Sequence, residues 1–334
     1  MAMTIRDIAR EAGVSTATVS RALRGLPNVD PATRERVRQV AERLDYVVSP
    51  AASRLASGRA GSIAVITPWI ARWYFGRVLS GIERVLAGSD LDLLLSSIGD
   101  PSETHHVPPH RKLRRRVDGF LVISLSTETE GVSEIFESDV PVALIDTERE
   151  GCWSVGIDDV NGARMAVQHL INLGHERIGL ISGRVMPTPF RPEENRWRGY
   201  HDTLVEAGLP VEPDLEACGH FTIHGGEQAM TTLLARPNPP TAVFAMSDEM
   251  AFGALRSLQA HGLQPGRDLS VVGFDGHELA EHLDLTTIVQ PVEDVGARAA
   301  QSLLDALDDP GRSPEQVTLP LSMVVRGSTA IRRS

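Results

Sequence analysis

From Ser62 onward the chain alternates short apolar runs with stretches of helical periodicity, and few architectures accept that pattern. The runs are SIAVITP, DLLLSSI, GFLVISL, VALID, RIGLISG, TAVFAMS and LSVVGFD. Helical spacing lies between them, near 75–88, 161–173, 193–207, 224–235, 248–261 and 293–307. Strands of this kind, continuously apolar and separated by helices, form parallel sheets covered on both faces. There are more of them than one compact sheet needs, so two α/β lobes are expected. In such sheets a ligand sits beyond the carboxyl ends of the strands, here in a cleft between the lobes.

The first sixty residues read differently. The 334-residue chain has a formal net charge of −11. Residues 1–60 carry ten arginines against six acids, net +4, which leaves −15 for the rest. A small basic head on an acidic body points to a polyanion met by the head alone. No apolar run approaches the roughly 20 residues that span a bilayer, so no membrane partner is expected. The opening MAMTIRDIAREAG has early acids and does not read as a signal peptide. Cys152 and Cys218 suit a reduced, cytoplasmic protein, with pairing between them left open.

Within the head, Thr4 is placed to cap a helix, with Asp7 in its first turn and Gly13 at its end. Ile5, Ile8, Ala9 and Ala12 make its apolar stripe. Ser15 caps a second helix whose inner side is Val19, Ala22 and Leu23. Ala17, Ser20, Arg21 and Arg24 share its outer side. Asp30-Pro31 opens a third helix with the stripe Val37, Val40, Ala41 and Leu44. Helix, tight turn, helix is the arrangement that sets a second helix into a DNA major groove. Arg21 has the fork to bond guanine O6 and N7, while Thr16 and Ala17 offer small groups to thymine. Ser15, Ser20 and Arg24 suit phosphates, and Thr4 is counted with them among the expected DNA-contacting residues. After the head, Ser49-Pro50 starts AASRLAS, about two helical turns, too short to be stable alone in water.

The segment TIRDIAREAGVSTATVSRALRG, followed by VDPATRERVRQVAERLDYVVSPAASRLASGRAGSIAVI, closely resembles the lactose-repressor (LacI/GalR) family of transcription regulators. The resemblance continues more loosely to the C-terminus. It implies base-reading roles for Thr16, Ala17 and Arg21. It implies a hinge helix at 49–60 that pairs across a dimer axis and presses Leu55 into the minor groove, with Arg54 near phosphates. It also implies a body with the periplasmic sugar-binding-protein fold. The expected division is a helix-turn-helix domain over 1–48, a hinge over 49–60 and an effector and dimerisation domain over 61–334. The N-lobe of that domain takes in about 61–160 and 293–320, the C-lobe about 161–292 and 321–334.

Effector candidates follow from placement and resemblance together. Asp275 ends LSVVGFD and offers a carboxylate to two hydroxyls. Arg196, in NRWRGY, matches the family position whose guanidinium clamps a ligand oxygen. Trp73, Tyr74 and Phe75, with Trp69 nearby, are conspicuous at 4% aromatic content; they suit a sugar face or lobe packing. Asp158 and Asn161 suit the cleft or a hinge cap. Gly276 stands where the family often has a second aspartate, and Ser247 where it has an asparagine; both changes bear on ligand identity. HELAEH (277–282) has histidines at i and i+5, which a helix turns apart, and HHVPPH (105–110) is broken by prolines, so no metal or other cofactor is expected. RKLRRR (111–116) reads as a solvated face. No nucleophile and base constellation supports an enzyme. The expected function is a non-enzymatic, homodimeric repressor that binds a palindromic operator under control of a small sugar-like effector. The competing readings are a sugar-binding protein with an idle head and a regulator of a non-sugar effector.

Overall fold

The computed structural model describes residues 3–23, 25–46, 59–98, 113, 116–128, 131–183 and 191–332. The chain divides into two compact units, Met1–Gly61 and Ser62–Ser334. The hinge helix, with Arg54 and Leu55, lies outside the described residues, as do Arg24, HHVPPH and most of RKLRRR.

In the first unit, helices α1 (Ile5–Ala12), α2 (Thr16–Leu23) and α3 (Pro31–Arg43) surround one small core. Ile8, Ala12, Val19, Ala22, Val37 and Val40 are buried in it. The backbone N–H and the hydroxyl of Thr4 both donate to the Asp7 carboxylate, at 3.0 and 2.6 Å. Gly13 ends α1 in the left-handed region, at φ 68°, which glycine adopts without a steric penalty. The Ser15 hydroxyl accepts from the Thr18 N–H at 3.1 Å, and Asp30 accepts from the Thr33 N–H at 2.9 Å. Each helix start therefore has an orphan donor satisfied by a nearby side chain: Asp7 at α1, and the caps Ser15 and Asp30 at α2 and α3.

The second unit contains two six-stranded sheets. The first has the order β11-β5-β4-β3-β1-β2. Its strands are β1 (Ser62–Thr67), β2 (Asp92–Ser97), β3 (Gly119–Ile123), β4 (Val142–Ile145), β5 (Trp153–Ile157) and β11 (Gln316–Leu319), all paired in parallel. The second has the order β12-β10-β9-β8-β6-β7. It is built from β6 (Ile178–Ser182), β7 (Glu216–Cys218), β8 (Ala242–Ala245), β9 (Ser270–Asp275), β10 (Thr286–Val289) and β12 (Ser322–Val324), with only β12 antiparallel. The chain passes from one sheet to the other after β5, after β10 and after β11.

Two helices cover one face of the first sheet, α4 (Trp73–Leu86) and α10 (Val292–Asp308). They cross at glycines: a Cβ on Gly81 would lie 1.9 Å from the Glu293 carbonyl oxygen, and one on Gly296 2.2 Å from that of Val78. Only bare backbone permits so close a crossing. In the second sheet, α5 (Asp159–Asn172), α6 (Arg191–Glu206), α7 (Ile223–Leu234) and α8 (Asp248–Ala260) supply the covering layers. The seven apolar runs are all strands. The structure adds β5, β7, β10, β11 and β12, which the run pattern passes over. Cys152 and Cys218 are not joined by a disulfide, so the pairing left open above does not form. No helix among the described residues is long and apolar enough to cross a membrane.

Candidate DNA-reading face and ligand cleft

The outer face of α2 carries Ser15 at its cap, then Thr16, Ala17 and Arg21, all exposed, with Ser20 half-buried. Neighbouring arginines of the head are engaged: Arg10 with Asp7, Arg38 with Glu35, and Arg43 with Glu11 at 2.7 Å. Arg21 makes no hydrogen bond or ion pair among the described residues, so its fork points to solvent uncommitted. Ser15 and Thr4 are also engaged within the head. The Ser15 oxygen is occupied by its own helix start and by the Thr18 hydroxyl, and the Thr4 hydroxyl is turned into Asp7. Both are caps first; their backbone positions, not free hydroxyls, lie at the head's surface.

In the body, the carboxyl ends of both sheets face each other. Trp69 follows β1, Ser124 follows β3, Asp146 follows β4, Ser247 follows β8 and Asp275 ends β9. With Arg72, Tyr74 and Phe75 from the start of α4, Pro192 and Arg196 from α6, Phe221, and Glu249 from α8, these enclose a cavity of about 50 Å³. That holds little more than a water molecule, so a sugar enters only if the lobes part. Ser124 (φ 50°), Asp146 (φ 58°) and Asp275 (φ 136°) all have positive φ without being glycine. Such conformations cost of order 1–3 kcal/mol each and gather at ligand sites.

Arg196 is the centre of the cleft's charge. Its Nε donates to Asp159 at 2.8 Å and its Nη1 to the Met246 carbonyl at 2.7 Å. The Asp275 carboxylate lies 3.8 Å from Nη1, and the guanidinium stacks on Phe274 at 3.7 Å. Burial opposes its charge, but Asp159 and Asp275 outweigh that and hold it protonated above its ordinary range. Burial pushes Asp159 up to about 6, against the pull of Arg196. Asp275 is raised well above the usual carboxylate range by burial, with Arg196 opposing and Asp248 reinforcing. Gln290 donates to Asp275 at 2.7 Å. Asp248 accepts from Thr287 at 2.6 Å and from the Gly276 and His277 N–H groups at 2.9 and 2.8 Å. Burial still raises it to about 6.

The expected effector residues separate on this geometry. Tyr74, Phe75, Arg196, Ser247 and Asp275 meet around the cavity. The Ser247 hydroxyl also caps α8, accepting from the Met250 N–H at 3.3 Å. Trp73 points elsewhere: it stacks on His277 at 4.7 Å and donates from Nε1 to Glu278 at 2.5 Å, joining the lobes at the cleft's lip. Asp158 caps α5, accepting from the Asn161 N–H at 2.9 Å. It lines a separate polar groove of about 720 Å³, floored by β5 and β11, and not the cavity. The residues passed over in the sequence are Arg72, Ser124, Asp146, Phe221 and Glu249. Asp146 accepts from the Tyr74 hydroxyl and from Ser124 at 2.7 Å. Ser124 and Asp146 each follow a strand's carboxyl end, and that position was the signal available for them.

Comparison with known proteins bears on both sites. A family model described as bacterial regulatory proteins, lacI family, matches residues 4–49. One described as a periplasmic binding protein-like domain matches residues 167–329. Catabolite control protein A of Priestia megaterium is 35% identical over 98% of this chain and 100% of its own length. Among solved structures, a lac repressor dimer bound to operator and the anti-inducer ONPF is similar with a TM-score of 0.87. It is 28% identical, over 99% of this chain and 100% of that one. A transcriptional regulator CelR–cellobiose complex is similar with a TM-score of 0.71 and 30% identity, over 98% and 99% of the two chains.

Proposed function

Because the chain belongs to the lacI family of bacterial regulatory proteins, we propose that it is a repressor that grips a palindromic operator as a homodimer, released or recruited by a small sugar-like effector in the interlobe cleft. The observation that carries this is the outer face of α2. Thr16, Ala17 and Arg21 are exposed on a helix whose inner face and cap are both satisfied, and the Arg21 guanidinium has no partner among the described residues. Two such faces, one per protomer, read two half-sites. Such a protein works where the chromosome is, in the cytoplasm.

The cleft supplies the control. Arg196 and Asp275 offer a donor and an acceptor from one lobe, and Trp69 and Tyr74 offer ring faces from the other. A ligand held by both lobes stabilises one lobe arrangement over another, and shifts operator affinity only by that difference. Selection of operators from a randomised palindromic duplex library, with and without candidate effectors, tests the whole reading. A consensus with dyad symmetry is expected, and no preference among sequences at moderate salt rejects it. Asp275→Ala is expected to abolish the effector response while the gel shift on operator persists. A retained response places the effector elsewhere.

A further inference from the structure

The cleft already contains one built cation site, and the chain's own Arg72 fills it. Arg72 starts from the N-lobe, at the cap of α4. Its guanidinium lies over the Trp69 ring, 4.8 Å from the centroid, and its Nη1 donates to the carbonyl of Phe221 in the C-lobe. That carbonyl is aimed by unusual backbone: His220 and Phe221 have φ of 54° and 51°, consecutive left-handed residues that are not glycine. Glu249, from the first turn of α8, lines the same cavity and accepts no hydrogen bond among the described residues. Burial pushes the Glu249 carboxyl up, and the charge of Arg72 offsets part of that. An aromatic face, a strained carbonyl and a carboxylate together form a cation-binding set.

Acidic side chains outnumber basic ones around the cavity. Among the described residues, Asp146, Asp159, Asp248, Asp275 and Glu249 line or back the cavity, against the guanidiniums of Arg72 and Arg196. Arg72 and Phe221 sit on different lobes, so opening the cleft to admit a ligand breaks their bond. A neutral ligand entering there puts no positive charge back on the Phe221 carbonyl and beside Glu249.

Resting on the reading of this cleft as the effector site, we propose that the effector is a hydroxylated amine, such as an amino sugar, whose cationic nitrogen takes the place of the Arg72 guanidinium: over Trp69, on the Phe221 carbonyl and beside Glu249. Its hydroxyls then meet Arg196 and Asp275. Arg72 is in this view a built-in competitor that holds the empty lobes together.

The test is equilibrium dialysis of the full-length protein against a defined library with equal numbers of cationic, neutral and anionic polyols and sugars, the retained compounds being read by mass spectrometry. Retained compounds are expected to carry a protonated amine, and N-acetylation of that amine should weaken binding at least about tenfold. Glu249→Gln should weaken the amine by a similar factor and its acetylated form far less, whereas Arg72→Ala should tighten it. Thermal unfolding of each variant identifies any that fails to fold. Retention of neutral or anionic compounds only, or an amine that tolerates acetylation, overturns the proposal and leaves the cleft as a sensor. Retention of nothing overturns the proposal and the effector role of the cleft together.

Discussion

At the scale of single residues, the two sites use opposite strategies. Arg21 is left unpaired on an exposed face, where its fork is free for a base edge. Arg196 is buried against Asp159, the Met246 carbonyl and the Phe274 ring, where removing Asp159 strands a charge. Arg21→Ala is expected to cost about 1–3 kcal/mol at one base position per half-site and to relax preference there, read as a changed binding-site logo. An unchanged logo removes Arg21 from the reading set. His277 gives a residue-scale pH dependence. Burial lowers its pKa below the ordinary 6.5, and its Nδ1 accepts from the Leu279 N–H at 3.0 Å, which requires the neutral ring. A histidine depressed in the folded state contributes stability that is complete above 6.5 and is lost as the pH falls through 6.5 toward the folded value. Glu278 beside it opposes the shift, and Arg77 and the Trp73 and Phe252 rings also face it. The melting temperature of the natural protein should therefore fall further than that of His277→Gln between pH 7.5 and 5.5. Parallel curves for the two would exclude the linkage.

At the scale of elements, what the sequence discloses depends on how evenly a strand is covered. Six of the seven apolar runs are strands buried along their length, so most of their side chains are apolar; the seventh, β2, is a sheet edge with exposed and half-buried residues, and shows itself by three consecutive leucines. β5 and β11 carry Ser154, Gly156, Gln316 and Thr318 on a face that floors the polar groove, and their alternation is too short to stand out. β10 is buried, but by Thr286 and Thr287, whose hydroxyls bond within the lobe; a threonine pair reads as polar in a sequence. β7 and β12 are three-residue edges. The cleft was legible where a motif or a strand end marks it, as at Arg196 and Asp275. It was hidden where a residue arrives from the start of a helix or a distant loop, as with Arg72 and Phe221. Trp73 shows the limit of proximity in sequence: one step along α4 from Tyr74 turns it from the cavity to the lip. The helix crossing offers a sharp element-scale test. Gly296→Ala drives a Cβ against the Val78 carbonyl and should destabilise the body by about 1–3 kcal/mol or more, read from urea unfolding midpoints. A variant as stable as the parent would mean the two helices can separate without loss.

At the scale of the whole molecule, the question is how one small ligand can govern two reading heads. The coupling must be reciprocal: if an effector lowers operator affinity by some factor, operator lowers effector affinity by the same factor. That holds only if both ligands act on one dimer, so the dimer itself must be tested first. Leu279 and Leu283 are exposed at 44% and 46% and stand four residues apart, on one side of a short helix (Leu279–His282) and its end. Two large apolar side chains left in water at helical spacing suit burial against a second copy. Leu279→Glu with Leu283→Glu is expected to yield monomers at micromolar concentration by light scattering, with specific operator binding falling toward the level of a single half-site. Because the substitutions leave the head's own residues unchanged, non-specific binding to duplex DNA should change little. A double variant that stays dimeric and keeps full operator affinity would place the protomer contact on another face, and the two-headed grip would then need a different geometry to explain how a cleft on one protomer is felt by both.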